Sequence, residues 1–138
     1  MQYWLVKTEP ATWSWDDQVK HGTTPWDGVR NHQAANNMRA MKKGDRCFFY
    51  HSVSEKQIVG IVKVGGTFRP DPKDASGKFG LVDLEMVKPF KTPVTLAQIK
   101  AEPELAEMVL VKNSRLSVQP VAPEEWAMVC RMGGLPKG

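Results

Sequence analysis

The sequence predicts an α+β fold: a small mixed β-barrel of about five to six strands with short helices packed around it. Three observations carry that expectation. β-prone runs recur along the chain, helix-start signals fall between them, and one run, residues 46–52, carries bulk on both faces. A strand with Phe48 and Tyr50 on one side and Cys47 and Phe49 on the other must be covered from both sides, so it belongs in the middle of the fold.

Taken in order, residues 2–8 form a first strand that Glu9-Pro10 ends, because proline cannot continue a central strand. Ser14 followed by Asp17 is a capping-box pattern and predicts a short helix, Trp15–His21, closed by Gly22. Residues 23–28 have the punctuation of a loop, with a proline and an Asp-Gly pair. Ala34, Met38 and Met41 stand at helical spacing and predict a second helix over 31–41, with Gly44 ending the run. Strands over 46–52 and 57–64 then read as a hairpin about the polar connection Val53-Ser54-Glu55-Lys56. Residues 69–78 read as an exposed loop and 79–90 as a long strand. Thr95 with Gln98 caps a short helix that Pro103 ends, and Pro103-Glu104 opens a further helical turn through Met108. Late strands are expected at 109–111 and 116–121, around the polar Asn113-Ser114-Arg115. Pro123, with Glu124 and Glu125 in the first turn, opens a closing helix that Gly133-Gly134 terminates.

A chain of 138 residues without repeat, low-complexity tract or linker predicts one domain spanning 1–138, and a monomer is expected. No apolar run approaches the roughly 20 residues that span a bilayer, and no basic leader is present, so a membrane partner is not expected. Cys47 and Cys130 are far apart and lie among apolar residues. That pattern fits a reducing, cytoplasmic setting and inert thiols. His21, His32 and His51 lack zinc-ligand spacing, and neither a P-loop nor a dinucleotide glycine fingerprint occurs. Neither a metal nor a cofactor is expected. The net charge of +4 favours an anionic partner, although the cations are spread along the chain. Neutralising about four phosphates would give a log–log salt slope on the order of −3 to −4, a grip suited to a short target.

Four segments stand out: Tyr3-Trp4-Leu5-Val6-Lys7-Thr8-Glu9-Pro10, Trp26-Asp27-Gly28-Val29-Arg30-Asn31 with Gln33-Ala34, Phe48-Phe49-Tyr50-His51-Ser52, and Arg115-Leu116-Ser117-Val118-Gln119-Pro120-Val121. Together, in this order and over essentially the whole chain, they resemble the EVE domain. The resemblance implies a PUA-like barrel, kin to YTH and ASCH domains, and a nucleic-acid-binding module whose pocket reads one flipped-out, modified base such as a 5-substituted cytosine, in DNA or RNA. Carried over by position, the pocket would draw on Lys7, Thr8, Glu9 and Pro10, on Trp26, Val29, Arg30 and Asn31, on Tyr50 and Ser52, and on Arg115, Leu116 and Ser117. Two departures stand out. Ala35-Asn36 follows Gln33-Ala34 where relatives carry an arginine, which removes a phosphate contact, and Arg69-Pro70-Asp71 places a cation where an aromatic is usual.

The residue types suit that task. An extruded base needs a surface to replace lost stacking, worth about 1–3 kcal/mol per base, and Trp26 in its Pro/Gly-punctuated loop is the first choice. Glu9, Asn31, Ser52 and main-chain groups beside Gly28 and Pro10 offer donors and acceptors to base edges. Lys7, Arg30, Arg69 and Arg115 are the cations for flanking phosphates. Structural alternatives stay open: Arg30 and Asn31 as a helix cap, Tyr50 as barrel core, Lys7 with Glu9 as an exposed ion pair. Trp4, Trp15 and Trp126 are expected in the core, whereas Trp13 stays open between core and surface. A second functional reading is an ASCH-like hydrolase of acylated cytosine derivatives, with Lys7, Thr8 and Glu9 supplying the chemistry. Successive strand residues point to opposite faces, which weighs against their convergence. A third is a vestigial pocket on a protein-binding surface.

Overall fold

A computed structural model describes residues 1–135. Among these residues, six strands and five α-helices follow one another in the order β1 Tyr3–Thr8, α1 Trp15–His21, β2 Thr23–Pro25, α2 His32–Ala40, β3 Arg46–His51, β4 Gln57–Pro70, β5 Gly80–Thr95, α3 Leu96–Ala101, a 3₁₀ turn Pro103–Leu105, α4 Val109–Lys112, β6 Val118–Val121 and α5 Pro123–Met132. The strands form one mixed sheet in the order β2-β5-β4-β3-β1-β6. β1 runs parallel to β3 and antiparallel to β6, and the remaining pairs are antiparallel. The fold class is α+β as expected, with the difference that the hydrogen-bonded ladder ends at β2 and β6 and the sheet is not closed among the described residues.

The capping signals act where the sequence places them. Ser14 Oγ accepts from Asp17 N and the Asp17 carboxylate accepts from Ser14 N, which fixes the start of α1. Thr95 and Gln98 do the same for α3.

Three expectations need correction. Residues 23–25, expected as loop, form the short edge strand β2, which Pro25 can occupy because an edge leaves its missing N–H without a partner to lose. Residues 109–111, expected as strand, start α4: Lys112 N and Val111 N donate to Met108 O, and burial of Leu110 outweighs the β propensity of the two valines. Finally, β4 continues past Gly65-Gly66 to Pro70, and β5 extends to Thr95. The two long strands stay paired through four register shifts that bend them together.

The central strand carries bulk on both faces because each face meets its own core. Leu5, Phe48 and Ile61 pack with Ile99, Leu110 and Trp126 on one side. Val6, Phe49 and Val62 pack with Trp15, Trp26 and Met38 on the other. Gly60 lies so close under the indole of Trp15 that a Cβ there would stand 2.4 Å from a ring carbon. No helix among the described residues is long and apolar enough to cross a membrane.

Candidate functional site

Where β1 ends, the second face of the sheet opens into a cleft of about 460 Å³, within the range of about 300–1,000 Å³ usual for small-ligand sites. Lys7 and Thr8 come from the end of β1, Thr12 and Trp13 from the loop that follows, and Ser117 from the residue before β6. The opposite wall is continuous chain, from Thr24 in β2 through Trp26 and Gly28 to Arg30.

Trp26 links core and cleft. It is 8% exposed, its ring meets Phe49 edge-on at 5.7 Å, and it lines the cleft. Its main chain is held to the sheet by Trp26 N donating to Val82 O at 2.7 Å. The loop beyond it is fastened from outside. The buried carboxylate of Asp71 accepts from Gly28 N and from the Arg30 guanidinium, both at 3.0 Å, and from Lys73 N at 2.8 Å. The Gly28 amide, then those partners, holds the Asp71 carboxyl below the usual carboxylate range. Lys73 adds an ion pair to Asp27 at 3.0 Å. Gly28 has φ 77°, a turn that favours glycine and sets its amide towards Asp71.

Lys7 lies on the other wall. Its ammonium donates to Ser114 O at 2.6 Å and lies 5.7 Å from the centre of the Tyr50 ring, and burial lowers its pKa. Thr8 Oγ1 donates to Trp13 O, and Thr8 O accepts from both Ser52 N and Ser52 Oγ. Trp13 is anchored through Nε1 to Gln18, whose amide donates in turn to Gly22 O and Leu84 O. His51 Nε2 accepts from Trp15 N, so its Nδ1 carries the proton and donates to Glu55 at 3.0 Å.

The cleft therefore gathers Lys7, Thr8, Trp26, Val29, Arg30 and Ser117 from the residues singled out in the sequence. The others stand elsewhere. Asn31 caps α2 by accepting from Ala34 N, Tyr50 and Leu116 are buried in opposite cores, and Ser52 braces Thr8 from behind. Glu9 is exposed and Pro10 half-buried, both outside the lining. Arg115 is exposed, and Arg69 forms a two-pronged pair with Asp83. Lys7 and Glu9 are not partners in an ion pair that the structure records; Lys7 turns to Ser114 instead. Sequence reasoning missed Thr12, Thr24, Pro25 and Asp27, and it left Trp13 open. The one available signal was that Trp13-Ser14-Trp15 and Thr23 to Gly28 flank the same short helix.

No group of three or more His, Cys, Asp or Glu side chains suited to a metal occurs among the described residues. The Cys47 thiol is fully buried, and burial together with Asp45 pushes its pKa far up. Burial raises that of Cys130 to about 11.

The defining pattern of the EVE domain matches residues 2–132. Human thymocyte nuclear protein 1 is 35% identical over 92% of this chain and 72% of its own length. Among solved structures, Rpa0253 from Rhodopseudomonas palustris is 60% identical with a TM-score of 0.93, covering 97% of this chain and 94% of that one. Human THYN1 protein, in a crystal structure with 5-methylcytosine-containing DNA, is 33% identical with a TM-score of 0.89, covering 96% and 98%. A YTH domain of Zygosaccharomyces rouxii, at 12% identity and a TM-score of 0.61 over 96% of this chain and 86% of that one, shares the fold. The fold is PUA-like, and the chain belongs to the EVE domain family.

Proposed function

We propose that this chain binds nucleic acid and that the cleft beside Trp26 takes a single modified base, a 5-substituted cytosine, turned out of its stack. The observation that carries the reading is the position of Trp26: fixed by Phe49 and Val82 behind it, and bordering a cleft flanked by Lys7 and Arg30. A planar ring held rigid by its own core offers stacking area at little ordering cost, and cations on either wall suit the phosphates that flank an extruded nucleotide. Support from relatives is that human THYN1 protein, of the same family, has been crystallised with 5-methylcytosine-containing DNA.

Titration of short oligonucleotides with and without 5-methylcytosine tests the reading. Trp26→Ala should lose most of the modification-dependent affinity, because stacking is worth about 1–3 kcal/mol per base. Lys7→Ala should weaken all sequences alike and lower the log–log salt slope by about 0.9. No wild-type binding to any of the probes at low salt, or equal and purely salt-dependent losses in both variants, would sink the proposal.

Hydrolysis of acylated cytosine derivatives is the second reading, and one feature favours it: Lys7, with its lowered pKa, and Thr8 border the same cleft. Glu9, the carboxylate that chemistry would require, is exposed and outside the lining. Release of acid from an acylated cytidine, abolished by Lys7→Ala, would replace the binding proposal with this one.

A further inference from the structure

Val53 has a backbone conformation that its own side chain disfavours. Among the described residues, the non-glycine residues with positive φ are Val53 at 70° and Lys56 at 51°, both in the connection between β3 and β4. Ser54 N donates to Ser52 O at 3.0 Å across Val53, so residues 52–54 form a three-residue γ-turn of the rarer, strained hand. A β-branched side chain is the least suited to that region, where glycine would sit without a Cβ penalty. Burial gives nothing in return. Val53 is 64% exposed and is part of neither core cluster.

The turn is tied to the rim of the cleft. Ser52, the residue before Val53, holds Thr8 O through both its amide, at 2.8 Å, and its hydroxyl, at 3.2 Å, and Thr8 lines the cleft. One inter-strand spacing and one Cα step put the Val53 backbone within roughly 9 Å of Thr8, a span of no more than about three stacked bases. The carboxylate of the loop, Glu55, is engaged by its neighbours, accepting from His51 and from Gln57. Lys56 beside it is exposed.

We infer that Val53 is a wedge: on a DNA duplex its two methyl groups enter the base stack beside the target and occupy the gap left when the base turns into the cleft. This rests on the cleft reading above and extends it to paired DNA. Proteins that kink or open a duplex insert compact apolar side chains between base steps, and extrusion is hardest when the base starts out paired and stacked. A wedge held in a fixed turn does not lose order on insertion, which gives a function to a strained, exposed valine.

The test compares two probes: a DNA duplex with a central 5-methylcytosine paired to guanine, and the same methylated strand unpaired. Val53→Gly relieves the positive φ and is expected to raise the melting temperature, so a loss of binding in it is not a loss of fold. The proposal expects a fall of about tenfold or more in duplex affinity, with binding to the unpaired strand within twofold of wild type. It also expects that the brightening of a 2-aminopurine placed next to the target in the duplex, seen with wild type, disappears. Val53→Leu, which keeps the apolar bulk, should retain duplex binding. Equal affinities of wild type and Val53→Gly for the duplex, or equal losses on both probes, would overturn the wedge while leaving the cleft reading intact. Failure of wild type to bind the unpaired methylated strand removes the cleft reading, and the wedge with it.

Discussion

Phe48 and Phe49 are neighbours in β3, both fully buried, yet they serve opposite faces of the sheet. Phe48 stacks on Trp126 with ring centres 3.9 Å apart and meets Phe90 edge-on, under a layer contributed by α3, α4 and α5. Phe49 meets Trp15 and Trp26 edge-on at 5.1 and 5.7 Å, in the core that borders the cleft. Among the described residues, none of those packed around Phe48 lines the cleft, whereas the core around Phe49 holds Trp26, the ring on which the proposed binding depends. Equal burial on the two faces therefore predicts equal losses of stability and unequal losses of function.

The largest effect expected is on the pair itself. Phe48→Ala and Phe49→Ala should each destabilise by about 3–5 kcal/mol in urea unfolding. Measured well below the melting temperature of either variant, binding of methylated oligonucleotides should survive in Phe48→Ala and be lost in Phe49→Ala; the same affinity in both would break the comparison. A smaller effect is expected at the outer edge of the cleft. Asp71→Ala leaves the Gly28 amide, the Arg30 guanidinium and the Lys73 amide without their shared acceptor, at a cost of about 1–3 kcal/mol. Faster hydrogen exchange at Gly28, with Val62 in the adjoining core unaffected, would localise that cost to the loop at the outer edge of the cleft.

The smallest expected effect is with acid. Asp71 is held below its usual pKa first by the Gly28 amide, and Asp74 to about 2, first by the Ser76 hydroxyl. Because both folded values lie below the unfolded ones, their contribution is complete above about pH 4. It is lost as pH falls through the folded values, for Asp74 about 2. Urea midpoints recorded between these limits should fall less steeply in Asp71→Asn than in wild type. Identical slopes would mean that the outer fastening carries no linkage to proton binding.

What could be read in advance was whatever depends on neighbours in sequence. The capping pairs Ser14 with Asp17 and Thr95 with Gln98 gave their helix starts to the residue, since the bonds they make are local. The central place of β3 followed from bulk on both its faces. Residues 23–25 and 109–111 were misread because their structure is decided at a distance, by pairing with β5 and by burial of Leu110. The same division holds at the cleft. Lys7, Thr8 and the loop from Trp26 to Arg30 lay in conspicuous segments, and the Asn31 cap, a bond to the amide three residues on, stood among the open alternatives, but nothing local says that Thr12 and Thr24 line the same opening. Nor does the sequence announce that Asp71, more than forty residues away, fastens Gly28.

The open sheet has two outermost strands, and each contains a proline: Pro25 in β2 and Pro120 in β6. Neither strand is longer than four residues. Short borders that lack an amide are poor templates for the backbone of another molecule, so an unclosed ladder is kept from recruiting further strands. The protein can leave its sheet unsealed, with a cleft at one end of it, without the fibre-forming hazard that exposed β-edges usually bring.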